Sequence, residues 1–295
     1  MSTPAAPPGL LRALIDGQPA SGLDVLDRGL HYGDGLFETI ACRGGRARFL
    51  TLHLQRLTEG CARLRIGHED FAGLATQIRA LAASEPACII KLILTRGSAT
   101  ARGYGPHGDE RSRVVLLQYP WPPEDPAPWE RGIAARTARG RLGENAALAG
   151  LKHLNRLEQV LIRAEWTDPA IQESLVFGSS GWLVSGTMSN VFLVSEGRIM
   201  TPAITRAGVS GIMRRVVMRE AQQRGLTVSE AALDAAAVAA AEELFVTNAR
   251  IGIWPVRTLD GLERRVGPVT RQLQQWLRPL LEAPADMTSG DPVDA

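Results

Sequence analysis

Lysine is nearly absent from this chain: of its 33 basic residues only Lys91 and Lys152 are lysines. A surface that needs only charge is supplied here by arginine, so a chemical use for a lysine is worth testing. Cysteine is scarce too. Cys42, Cys61 and Cys88 are odd in number and lack CxxC or Cys/His spacing, which supports neither a disulfide framework nor a zinc site and reads as buried small apolar residues. No run reaches the roughly 18 apolar residues that a transmembrane helix needs. The opening "MSTPAAPPGL" has neither the basic nor the apolar region of a secretory signal, so a cytoplasmic protein with no membrane partner is expected. A net charge of +2 over 33 basic and 31 acidic residues gives no field for a nucleic acid, and the local "RGIAARTARGR" reads equally as a strand with a wetted face. His31, His53, His68, His107 and His153 form no i, i+4 pair and have no carboxylate at metal spacing, so no metal is assigned. A GxSxG elbow is missing as well.

What is present is ordinary globular composition, 45% hydrophobic and 22% charged over 295 residues, which implies two domains or one large α/β unit. "LRALIDGQPA" and "GLFETIACRGGRARFLTL" read as strands, the latter a hairpin about Gly44 and Gly45. Leu50, Leu54, Leu57, Cys61 and Leu64 recur at helical spacing, "FAGLATQIRALAAS" repeats the pattern, and "ACIIKLILTRG" and "RSRVVLLQYPW" follow as strands. Residues 1–120 therefore form an α+β domain. "PWPPEDPAPWERG" packs five prolines into thirteen residues, which sustain neither helix nor central strand, so 121–133 is an interdomain linker. Residues 134–282 form a second, α/β domain of strands and helices without a strict βαβ rhythm, and 283–295 a loose tail.

Several residues could carry chemistry. Lys152 stands at the mouth of an apparent amphipathic helix, "LAGLKHLNRLEQVLIRAEW", where the helix field disfavours an ammonium and eases its deprotonation, as a Schiff-base or general-base lysine requires. By position alone a solvated surface lysine is the commoner outcome. Gly208, Ser210 and Gly211 precede a helix whose free N–H groups suit a phosphate, or are simply an ordinary helix start. Arg56 in "HLQRL" is either a fixed anion ligand or a solvated charge. Arg96, Arg102 and Tyr104 lie in a Gly-rich loop apt for a carboxylate, or in a mobile surface loop.

In the order "LDRGLHYGDGLFET", "HLQRL", "TRGSATARGYG", "GLKHLNRLEQVL", "SGTMSNVFLV", "AGVSGIMRRVV", "ELFVTNA", these pieces resemble the fold type IV pyridoxal-phosphate enzymes. That family holds branched-chain and D-amino acid aminotransferases and aminodeoxychorismate lyases, and "LKHLNRLEQVLIR" and "RAGVSGIMR" look most like the lyase branch. The resemblance covers about residues 10–280. It implies two α/β domains with pyridoxal 5'-phosphate (PLP) in the cleft between them, in a homodimer. It makes Lys152 the Schiff-base lysine and Arg56 the phosphate arginine. Gly211, Ile212 and Met213 become the phosphate-binding helix start, with Asn248 and Ala249 on the other side. Ser185, Gly186 and Thr187 line the cofactor, and Phe37, Arg102, Tyr104 and Met188 face the substrate. Where the family commonly carries a glutamate against the pyridine nitrogen, this chain has Ser185, a neutral partner that stabilises no pyridinium charge. That suits an elimination ending in an aromatic ring better than full transamination. The implied reaction turns 4-amino-4-deoxychorismate into p-aminobenzoate and pyruvate for folate synthesis. The alternatives are an aminotransferase on the same scaffold or a binding protein that kept the fold without the cofactor.

Overall fold

Glu38 stands out in the alternating strand "GLFETIACR": it occupies the same face as Leu36, Ile40 and Cys42, and all four are buried, whereas Phe37 and Thr39 are only half-buried. In this computed structural model, which describes residues 9–20, 22–99 and 102–282, that strand lies one in from the edge of a six-stranded sheet. Its members are β1 (Arg12–Ile15), β2 (Gln18–Pro19), β3 (Gly35–Arg43), β4 (Arg46–Ala47), β5 (Ala87–Thr95) and β6 (Arg113–Pro120), in the order β2-β1-β6-β5-β3-β4, all antiparallel. The expected hairpin about Gly44 and Gly45 is the β3/β4 pair. Helix α1 (Arg28–Tyr32) precedes β3, while α2 (Leu50–Leu64) and α3 (Phe71–Ala83) follow β4 and cover the buried face. α2 sits close because Gly60 has no side chain: a Cβ there would meet Leu36 Cδ1 at 2.7 Å. Along α2 the buried stripe is Leu50, His53, Arg56, Leu57, Gly60 and Cys61, so two polar residues share the apolar face.

By contact the chain divides into two units. One holds the described residues up to Pro123 together with Lys152–Asn155 and Glu282; the other is Glu124–Leu151 with Arg156–Leu281. The second unit contains α4 (Ala127–Arg131), β7 (Ile133–Leu142), α5 (Leu157–Arg163), β8 (Ile171–Gly178), β9 (Leu183–Gly186), β10 (Asn190–Ser195) and β11 (Arg198–Pro202). After these come α6 (Ile212–Gln223), β12 (Val228–Ala231), α7 (Ala235–Ala240), β13 (Glu243–Asn248), β14 (Gly252–Leu259), β15 (Leu262–Glu263) and α8 (Pro268–Glu282). Its nine-stranded sheet runs β12-β11-β10-β13-β14-β7-β8-β9 with β15 on β14. It is mixed, with β11/β12, β14/β7 and β7/β8 parallel. Ile133, Leu175, Leu193, Val246 and Val256 form the centre of its core, and the rings of Phe192 and Phe245, cross-strand partners, stack at 4.9 Å. No helix among the described residues is long and apolar enough to cross a membrane.

Three expectations change. The helix expected to open at Lys152 is only Leu157–Arg163. The preceding backbone is bonded elsewhere: the Lys152 carbonyl accepts from Phe37 N–H at 2.9 Å and Leu154 N–H donates to Gly35 at 3.0 Å. Lys152 is therefore in extended chain packed with the first unit rather than on the second domain's helix, and the helix-field argument does not apply to it. The proline-rich segment does hold a helix, the five-residue α4, because Pro126 is its N-cap and Pro128 lies in the first turn, where a missing N–H costs nothing. The contact boundary falls at Pro123. The expectation for 283–295 lies outside the described residues.

Candidate active site

Lys152 reaches its place by strand-like pairing. His153 bridges Leu36 on β3, so Lys152 falls opposite Phe37, and its Nζ stands 4.2 Å from the centre of the Phe37 ring. An ammonium over an aromatic face is held by the ring quadrupole while its stem stays half-buried. Lys91, the other lysine, projects from β5 with its Nζ 5.8 Å from the same ring.

Arg56 is not a solvated charge. It is 7% exposed, its Nε donates to Glu38 Oε1 at 2.8 Å, and its Nη2 donates to Oε2 of the same carboxylate. His53, one turn earlier on α2 and 1% exposed, donates from Nδ1 to Glu38 Oε2 at 2.6 Å. Burial would raise the Glu38 carboxyl, but the Arg56 charge and the His53 contact outweigh it and hold the group down at about 2. Burial pushes His53 below its ordinary value against the pull of Glu38, and the charges of Arg56 and Lys152 push the same way, so the ring is neutral at neutral pH. Because Glu38 is depressed from 4.5, the stability it contributes is complete above about pH 4.5 and is lost as pH falls towards 2. That contribution is on the order of 3 kcal/mol. Urea unfolding between pH 5 and 3 should show a steeper loss of stability with acid in the parent than in Glu38→Gln; equal slopes would exclude this linkage.

In the second unit α6 begins without a side-chain cap: Gly211 is its N-cap, at φ −67° and ψ 140°, and its first turn carries no acid. The leading N–H groups of Ile212 and Met213 suit an anion, and both residues are otherwise buried. A Cβ at Gly211 would lie 1.9 Å from Asn190 Oδ1, and Asn190 Nδ2 in turn donates to Val209 at 2.9 Å, so only glycine fits this entry. Ser185, 9% exposed, turns its hydroxyl onto the Gly186 carbonyl at 2.7 Å. The following loop is organised by Glu173 of β8, which is fully buried. Its Oε1 accepts from Ser174 N–H at 2.8 Å and from the N–H (2.9 Å) and hydroxyl of Thr187; its Oε2 accepts from Ser189 Oγ at 2.7 Å and Met188 N–H at 3.4 Å. Gly186 is hemmed in by the same groups, and the Met188 side chain is half exposed. Asn248 Nδ2 donates to the Met188 carbonyl at 3.1 Å and its Oδ1 accepts from Arg250 and Ile251, which fixes the turn containing Ala249.

The loop with Arg102 and Tyr104 belongs to the first unit and leaves both side chains exposed, Tyr104 at 84%. Its backbone is tied down: buried Arg28 donates to the carbonyls of Gly103 (3.2 Å) and Tyr104 (2.6 Å) while its Nε pairs with Asp34 at 2.9 Å. Arg96 is not in the loop's reach for an anion, since it pairs with Asp34 and donates to the carbonyls of Leu64 and Arg65.

Residues 35–259 match the family model described as amino-transferase class IV. The chain belongs to this family. An aminodeoxychorismate lyase from Vibrio harveyi is 30% identical over 264 residues, 88% of this chain and 97% of that protein. The branched-chain-amino-acid aminotransferase of Escherichia coli K12 is 28% identical over 85% of each chain. Among solved structures, the 4-amino-4-deoxychorismate lyase of Pseudomonas aeruginosa is 44% identical, covers 90% of this chain and 98% of its own, and superposes with a TM-score of 0.87.

Among the buried carboxylates of this class IV enzyme, Glu38 and Glu173 organise residues around the candidate site, and no motif singles them out. The signal for Glu38 was its even position in an alternating apolar strand, and for Glu173 its place at the head of the apolar run "ESLVF". His53 was visible only as a histidine three residues before Arg56 on the face the leucines fill.

Proposed function

We propose that the chain is a PLP-dependent lyase that converts 4-amino-4-deoxychorismate to p-aminobenzoate and pyruvate, a step of folate synthesis. The observation that carries this reading is the greater identity to the Pseudomonas lyase than to the aminotransferase relative. Class IV aminotransferases are PLP-dependent, and the donor set here fits that cofactor. One amine sits beside an aromatic ring, a guanidinium is fixed by a buried carboxylate, and an uncapped helix start offers N–H groups.

In this reading Lys152 is the covalent anchor, and Arg56 with the N–H groups of Gly211, Ile212 and Met213 holds the phosphate. Ser185, Gly186, Thr187, Asn248 and Ala249 would line the cofactor, with Ser185 taking the position of the family's glutamate. When bound, the cofactor draws electron density from the carbon that bears the substrate amine. Lys152 Nζ takes the proton from that carbon. The neighbouring carbon–oxygen bond then breaks, the ring becomes aromatic, and the enolpyruvyl group leaves with the bond's electron pair. Lys152 returns the proton to the departing methylene carbon, which gives pyruvate. Arg102 and Tyr104 receive the substrate carboxylates, and Phe37, Thr187 and Met188 form its walls.

The same reading includes a homodimer and a cytoplasmic location. Exposed Val25, Leu26 and Leu30 in one unit and Leu157, Val160 and Leu161 in the other support the dimer. Three buried free thiols fit a reducing compartment. The test is direct: purified protein with PLP and 4-amino-4-deoxychorismate should release p-aminobenzoate and pyruvate in equal amounts. Amino transfer to 2-oxoglutarate without p-aminobenzoate would replace the lyase with an aminotransferase.

A further inference from the structure

An arginine that grips a phosphate does so well only if its guanidinium plane is already set, because a free arginine side chain loses rotamer freedom on each binding event. In this chain the plane of Arg56 is set from behind. Glu38 takes its Nε and Nη2 with both carboxylate oxygens, a fork that fixes the guanidinium in direction and in rotation. Glu38 alone could swing about its last torsion, but His53 bonds Oε2 at 2.6 Å and closes that freedom.

The three side chains arise from two packed elements, Glu38 from β3 and His53 and Arg56 from adjacent turns of α2, and all are at least nine-tenths buried. A second feature separates this cluster from a plain structural ion pair. With Nδ1 donating to Glu38, the Nε2 of His53 is left as an acceptor, and it is buried without a hydrogen-bond partner among the described residues. Filling that place with an aliphatic side chain would remove this cost, typically about 1 to 3 kcal/mol for a buried polar atom. The imidazole is therefore retained for what Nδ1 does, which is to hold Glu38.

We propose that Glu38 and His53 are positioning residues for the cofactor phosphate: Glu38 orients Arg56, and His53 locks Glu38. This rests on the reading that Arg56 binds that phosphate.

The experiment titrates apoenzyme with PLP and, separately, with pyridoxal, which offers the same aldehyde without the phosphate. The readout is the ratio of the two affinities, which a general loss of stability does not move. Glu38→Gln should weaken PLP about tenfold, the effect of losing one charge-assisted contact, with pyridoxal changed by less than about twofold. His53→Leu should follow it in direction, and His53→Gln, which keeps an N–H donor, should recover most of the loss. If Glu38→Gln does not fold, the two His53 variants carry the test. An unchanged ratio in both Glu38→Gln and His53→Leu overturns the proposal, as does an equal loss for both ligands. Arg56→Ala separates the levels: a lowered ratio there with none in Glu38→Gln sinks only the positioning role, whereas an unchanged ratio in Arg56→Ala removes the phosphate reading beneath it.

Discussion

Lys152→Ala should lower turnover by roughly 10⁴-fold or more, since in the proposed reaction Lys152 is both the covalent anchor and the group that moves the proton. Lys152→Arg should fail as fully: a guanidinium keeps the charge and the place over Phe37 but stays protonated, and offers no amine for the aldehyde. The other lysine cannot stand in, because Lys91 is fixed on β5 with its Nζ farther from the Phe37 ring. Two measurements check this. Product formation at saturating PLP should fall to background, and borohydride treatment of the PLP-loaded parent should fix the cofactor to the peptide containing Lys152 and to no peptide of the variant. Wild-type turnover in Lys152→Ala would contradict the assignment outright.

Glu173→Ala should be among the most damaging substitutions away from Lys152. The carboxylate collects three backbone N–H groups and two hydroxyls in a fully buried place. The hydroxyls of Thr187 and Ser189 can rotate to other acceptors, but the N–H groups of Ser174, Thr187 and Met188 cannot. Orphaning them costs on the order of 3 to 5 kcal/mol. Glu173→Gln should be intermediate, since one oxygen still accepts while the new amide opposes donors with donors. Urea unfolding gives the energy, and hydrogen exchange should show the loss concentrated in residues 186–189. A Glu173→Ala protein with parental stability and parental exchange in that loop would refute the account.

These carboxylates show where sequence reading stops. The strands were legible because alternation survives in "GLFETIACR" and "ACIIKLILT", and α2 because its leucines keep helical spacing. The start of α6 is legible from the glycines before it, Gly208 and Gly211. The leucines flanking Lys152 fit a helical period, whereas the bonds that decide its conformation come from Gly35 and Phe37, over a hundred residues earlier. No local pattern carries that information. Arg56 was legible as a charge on an apolar face, but not as one held by Glu38, since that contact is a product of β3 packing on α2. Ser185 is legible in sequence as a departure from the family's usual glutamate; that its hydroxyl donates to the Gly186 carbonyl, and that the loop after it is held by Glu173 from β8, is not.

The pairing of Lys91 and Lys152 about one ring has a practical side. These two are the chain's whole stock of side-chain amines, both are half-buried, and both report on the surroundings of Phe37. An amine-directed acylating reagent therefore has two side-chain targets in 295 residues, and the digest to be read by mass spectrometry is correspondingly simple. Occupancy of the lysine site by any carbonyl compound would register as protection of one peptide, with the other as an internal standard drawn from the same few ångströms of the molecule.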